Sequence, residues 1–207
     1  MKIRRKAAQS TPSAEETPRA EESTPATPQR GPYDVSEVPD DIERLDVGAL
    51  KVAPVEGLEL RLQVNEATEE VGAVMLGNDE GAMELHVYSA PSSGGLWDEV
   101  RPQIAEDVVS RGGAAEEHEG PFGVELRCRV PVQMPDGQEG YQPSRVLAVE
   151  GRRWMLRATM LGLPALRPEE ARLWEHALEL VAVERGDHAM PVGKQLPLIL
   201  PADARRS

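Results

Sequence analysis

From Leu58 onward the chain alternates. Leu58, Leu60, Leu62 and Val64 are separated by Glu59, Arg61 and Gln63, the period of two expected of a strand with one buried face. Residues 73–76 form a short apolar run, and Asn78-Asp79-Glu80-Gly81 supplies turn chemistry before a third strand over 83–88. Val124, Leu126, Cys128 and Val130 alternate with Glu125, Arg127 and Arg129, which predicts a further half-buried strand. Pro135-Asp136-Gly137 belongs to a loop. Residues 145–149 and 153–160 flank Glu150-Gly151 and read as a tight hairpin.

Two segments have helical spacing instead. Trp97, Val100, Ile104 and Val108 recur every three to four residues, and Gly112-Gly113 closes the run. Pro102 inside it predicts a kink or a later start. Pro168 followed by Glu169 and Glu170 marks a second helix start, with Ala171, Trp174, Leu178 and Val181 on one face. A last short strand is expected over 180–184. Strands joined by hairpins predict an α+β fold: a mainly antiparallel sheet of about six to eight strands, with two helices packed on one face. Residues 31–57 and 186–207, punctuated by Pro and Gly, read as extended arms running along the domain surface.

Residues 1–30 differ in kind. They contain four prolines and no Leu, Val, Phe or Trp, so they cannot bury enough apolar surface to offset chain entropy, and a disordered tail is expected. Six basic side chains (Lys2, Arg4, Arg5, Lys6, Arg19, Arg30) outnumber four acidic ones there (Glu15, Glu16, Glu21, Glu22). The whole chain of 207 residues carries a net charge of −13, so the acidic excess lies in the expected single domain, 31–207. That balance argues against general coating of nucleic acid. The basic start lacks a following apolar stretch, and no run approaches the roughly 18–20 residues of a membrane helix, so a soluble, cytoplasmic protein is expected. The lone Cys128 excludes an internal disulfide and agrees with a reducing compartment.

The chemistry-bearing positions are sparse. No phosphate-binding glycine loop and no Gly-x-Ser-x-Gly elbow occurs, and the four histidines (His86, His118, His176, His188) have no metal-binding spacing. His118 among Glu116, Glu117 and Glu119 reads as a solvated acidic loop or edge strand; Cys128 reads as a buried small residue. Asp187-His188 resembles half of a catalytic pair with no nucleophile nearby. No catalytic residue, metal or cofactor is therefore assigned. If the alternating segments share one buried face, the opposite face carries Arg61, Arg127, Arg129, Arg153 and Arg157. Those five could hold an anion or a partner, or pair across strands with Glu59, Glu84 and Glu125. In the tail, Thr11, Thr17, Thr24 and Thr27 each precede a proline and are candidate phosphorylation sites.

Several segments in order resemble an actinobacterial family known as domain of unknown function 3710: Gly31-Pro32-Tyr33-Asp34, Leu58 to Val64, Leu96-Trp97-Asp98-Glu99-Val100, Gly151-Arg152-Arg153-Trp154-Met155-Leu156-Arg157, Arg185-Gly186-Asp187-His188-Ala189-Met190-Pro191 and Leu196-Pro197-Leu198. The similarity spans roughly 31–201 and brings no activity, cofactor or site residue with it. The element order is also similar to the sheet-plus-helices plan of PsbP and Mog-type adaptors, which bind partners. The expectation is a non-enzymatic cytoplasmic protein, an adaptor or structural protein, acting through protein contacts or self-association without a membrane. The alternative is nucleic-acid or polyanion binding through the arginine-bearing face and the basic tail; an enzyme around Asp187 and His188 is a third reading.

Overall fold

The structure, a computed structural model, describes residues 31–38, 42–65, 70–133 and 137–201. The tail, with Thr11, Thr17, Thr24 and Thr27, lies outside them. Short strands open the chain: β1 (Tyr33–Asp34), β2 (Leu45–Asp46) and β3 (Leu50–Val52). The alternating segments then give β4 (Glu59–Val64), β5 (Val71–Gly77) and β6 (Gly81–Ser89), followed by helix α1 (Leu96–Ser110). Four strands follow in sequence: β7 (Ala114–Gly120), β8 (Gly123–Gln133), β9 (Glu139–Gly151) and β10 (Trp154–Gly162). The chain ends through the single turn α2 (Leu163–Leu166), helix α3 (Arg172–Glu179) and β11 (Ala182–Val183). Pro102 is accommodated within an unbroken α1.

Strands β4 to β10 make one antiparallel sheet in the order β4-β5-β6-β10-β9-β8-β7. It consists of two meanders, β4-β5-β6 and β7-β8-β9-β10, stitched together where β6 pairs with β10. The Glu116–Glu119 run is thus an edge strand. The α+β plan of the sequence is the plan of the molecule, but its helices do not form one layer. Cross-strand partners share a face, and the register Leu126↔Val146↔Thr159↔Glu84 runs opposite to Leu147↔Ala158↔Leu85↔Val74. On one face, Leu126, Cys128, Val146, Ala148 and Met155 pack with Leu96, Trp97 and Val108 of α1. On the other, Val74, Leu85, Leu147, Leu156 and Ala158 pack with Trp174, Ala177 and Leu178 of α3. The two apolar stripes therefore point in opposite directions, and β9 and β10 are buried from both sides where they overlap.

The expected arms are not surface wrappings. β1, β11, β3 and β2 form a second, four-stranded sheet, and Val47, Leu50, Val52 and Val183 are fully buried in the same core as Leu85. The final segment ties the two sheets together. Beyond the Val74↔Leu85 pair β5 no longer pairs with β6, and residues 193–198 fill the gap. Ser89 N–H donates to the Lys194 carbonyl (2.8 Å) and Leu196 N–H to the Val87 carbonyl (2.8 Å), while Ala49 N–H and Ile199 N–H bond Pro197 and Val47 carbonyls. Leu196 and Leu198 are consequently core residues.

Double-sided burial of β9 places a charge inside. Arg145 is 1% exposed and lies between Glu125 (2.7 Å, also 1% exposed) and Glu175 of α3 (2.8 Å). A second bond joins Arg127 to Glu125 at 3.1 Å. This triad fastens β8, β9 and α3. Removing one partner leaves an uncompensated buried charge, so Arg145→Ala is expected to lower stability by about 3–5 kcal/mol. Arg167→Ala, which breaks an exposed pair with Glu170, should change it by less than about 1 kcal/mol. Urea unfolding of the two variants measures the difference.

Candidate functional site

The five arginines proposed as one sheet surface are distributed over three places. Arg61 and Arg157 share a face with Glu84 and His86, since Arg157 is the register partner of His86 and Met75 that of both Arg61 and Glu84. Arg127 and Arg129 project from the opposite face of β8, beside buried Arg145. Arg153 is in neither set: Trp154 pairs with Gly151, so the β9–β10 turn is Arg152-Arg153, two residues later than Glu150-Gly151. The sheet-face site is therefore not assembled. It rested on placing Leu60 and Leu126 on one side, and the opposed burial of the two sheet ends separates them.

Pairing is the local fate of most of these side chains. Arg61 bonds Glu59 at 2.6 Å and Arg127 bonds Glu125. The Arg157 guanidinium lies 5.2 Å from the centre of the Tyr88 ring, a cation–π distance. Beside it His86 Nε2 is 2.9 Å from Glu84 Oε1; that bond, set against burial, holds the Glu84 carboxyl below its usual range. Glu59 and Glu84 lie on this face and Glu125 on the other.

The remaining titratable candidates are also local. His118 is 3.6 Å from Glu116 on the β7 edge, and His176 is 3.6 Å from Glu179 on α3. Among the described residues no three His, Cys, Asp or Glu side chains gather as a metal site. Cys128 is buried, and burial pushes its thiol pKa up.

The β9–β10 turn gathers what the sequence left apart. Gly151 has no room for a Cβ because the Trp154 indole folds over it. Trp154 Nε1 donates to Asp34 Oδ2 (3.1 Å), and Asp34 Oδ1 accepts from Ser36 N–H and Oγ. From the other side Arg185 reaches over the turn: Nε donates to the Arg153 carbonyl (3.0 Å), Nη1 to the His188 carbonyl (3.0 Å) and Nη2 to Ser89 Oγ (3.1 Å). Between these groups lies an open cleft of about 440 Å³ walled by Asp34, Arg152, Arg153, Glu184, Arg185 and Asp187. Three separate segments of the chain meet there, 34–35, 152–153 and 184–187.

Use by the fold divides the charged groups of the cleft. Arg185 is spent on carbonyls and a hydroxyl, Glu184 on Lys51 (2.7 Å), and Asp34 on Trp154 and Ser36. Arg152 and Arg153, by contrast, make no side-chain hydrogen bond or ion pair within the described residues. Arg153 also has φ +67, the sole non-glycine residue with positive φ among those described. A β-carbon costs on the order of 1–2 kcal/mol in that conformation, so a glycine would serve the turn better. Of the two, only Arg153 is among the candidates legible in the sequence, and for a different surface. The available signal was Gly-Arg-Arg-Trp itself, two charged residues side by side in a tight hairpin.

A model for a protein family matches residues 31–207. The chain belongs to DUF3710, described as a protein of unknown function. All three segments that meet at the cleft lie inside the matched region, and so does the closing segment 193–198. None of the curated proteins matches the sequence. Among solved structures the chain is similar to cyanobacterial PsbP (CyanoP) from Synechocystis sp. PCC 6803, a solution structure, with 14% identity, 69% of this chain and 92% of that chain covered, and a TM-score of 0.38. No helix among the described residues is long and apolar enough to cross a membrane.

Two measurements follow from the cleft. Arg153→Gly relieves the left-handed strain, so it should raise stability by about 1 kcal/mol, whereas Arg153→Ala keeps the strain and should not; thermal unfolding separates them. Burial pushes the Asp34 carboxyl up, but the hydrogen bonds from Ser36 and Trp154 and the charge of Arg152 outweigh it and hold the group below its ordinary range. A depressed carboxyl contributes stability above its unfolded pKa, near pH 4, and loses it as pH falls through the folded value. Asp34→Asn should therefore flatten the acid limb of the stability–pH curve below about pH 4.

Proposed function

We propose that this protein acts without catalysis, in the cytoplasm, as a binding protein that takes an acidic segment of a partner protein into the cleft at the β9–β10 turn. The observation that carries the reading is the pair Arg152 and Arg153, two cations at the cleft whose side chains make no hydrogen bond or ion pair among the described residues, one of them kept in a conformation that glycine would occupy more easily. Strain retained at a surface turn supports a role for the side chain rather than the backbone. Guanidinium groups suit the task because they stay charged and bond carboxylates in a planar, two-pronged geometry.

The surroundings favour an extended acidic peptide over a free polyanion. Asp34, Glu184 and Asp187 line the same cleft, so a dense run of phosphates would meet like charge, while one or two carboxylates can lie against Arg152 and Arg153 alone. Trp154, Arg185 and Asp34 brace the turn from behind, which limits the entropy lost on binding. The unpaired Cys128 supports the cytoplasmic setting.

The test uses the full chain and a fluorescent glutamate-rich peptide, with a labelled single-stranded oligonucleotide as comparison. Peptide anisotropy should rise and the affinity should fall with added salt. Arg152→Ala and Arg153→Gly should each weaken binding by about tenfold, and the second should do so while stabilising the fold. Unchanged affinity in both variants, or tighter binding of the oligonucleotide, would reject the assignment.

A further inference from the structure

We infer that β4 is a self-pairing edge, through which two copies of this chain join antiparallel about a two-fold axis at Leu60. The large sheet ends in β4 on one side and β7 on the other, and each leaves a row of backbone N–H and C=O groups without a strand partner among the described residues. Such edges invite pairing unless something blocks it. β7 is blocked by charge. It carries Glu116, Glu117 and Glu119, and a two-fold pairing centred on Glu117 or His118 sets Glu against Glu.

β4 has the opposite character. Its outward side chains alternate Glu59, Arg61 and Gln63, with Glu59 and Arg61 72% and 76% exposed. Antiparallel pairing must keep the two faces in phase, which restricts a symmetric dimer to a few registers. Centring on Glu59 or Arg61 stacks like charges. Centring on Leu62 sets Arg61 against Gln63, without an ion pair. Centring on Leu60 puts Glu59 opposite the second copy's Arg61 and Arg61 opposite its Glu59, while Leu60 meets Leu60 and Leu58 meets Leu62. Those leucines are half-buried and pack on the main core, so the same register continues the apolar face across the junction. A symmetric interface of this kind is self-complementary and closes as a dimer.

The occupant is therefore a second copy, and the charge pattern makes the claim reversible. Full-length protein is followed by sedimentation velocity over a concentration series at low salt. The wild type should shift toward twice the monomer mass as concentration rises. Arg61→Glu and Glu59→Arg should each hold the protein at monomer mass, because each sets like charges together twice across the axis. The double variant E59R/R61E restores opposite charges in the same register and should recover the wild-type shift. Both positions are solvated and outside the core, and circular dichroism checks that the variants fold. A wild type that stays monomeric throughout, single variants that associate like wild type, or a double variant that fails to recover would each overturn the proposal. The reading is independent of the cleft, since neither substitution touches Arg152 or Arg153.

Discussion

Strands β9 and β10 are buried from both sides, and the rest of the molecule is arranged around that constraint. α1 covers one face of the sheet toward β7 and β8; α3 and the small sheet cover the other toward β4, β5 and β6. The two coverings overlap only at the central hairpin, where Val146, Leu147 and Ala148 are buried in succession, as are Trp154, Met155 and Leu156. A sheet with opposed apolar stripes cannot be closed by a single helical layer. The second sheet supplies the remaining cover, and it draws on both ends of the domain: β1, β2 and β3 from one and β11 from the other, with the extended segment 193–198 tying it to the large sheet.

The same constraint explains the buried charge. A central strand has no solvated face to which a polar residue can be turned, so Arg145 must be neutralised in place, by Glu125 from β8 and Glu175 from α3. The pairing offsets desolvation rather than adding much net stability. Its consequence is geometric, since the placement of α3 is what brings Glu175 to the guanidinium beside Glu125.

Rigidity at the hairpin also sets what its turn can present. The backbone carbonyl of Arg153 is held by Ala90 and Arg185, and Trp154 is held by Asp34, so the two arginine side chains, which have no ion-pair partner among the described residues, stand on a fixed support. Arg61, Arg127 and Arg157 illustrate the alternative fate. Each lies on a strand where a neighbouring carboxylate or ring is within reach, because alternation on a sheet brings side chains two residues apart, and those of the next strand, onto one face.

The residues alone determined the local structure. The alternation in Leu58 to Val64 and Val124 to Val130, the turn chemistry at Asn78 to Gly81 and the helical spacing of Trp97 to Val108 each report neighbours within a few residues, and those strands and that helix formed. The β9–β10 hairpin was legible too, but at Glu150-Gly151, whereas the pairing of Trp154 with Gly151 puts the turn at Arg152-Arg153. Which face of each strand is inside was decided only in the tertiary structure. A period of two says that a strand has two unlike faces and nothing about which neighbour covers either. Leu126 and Leu60 both alternate correctly and yet point to opposite sides, and from that single undetermined sign the arginine surface dissolved and the cleft of Asp34, Arg152, Arg153 and Asp187 took its place.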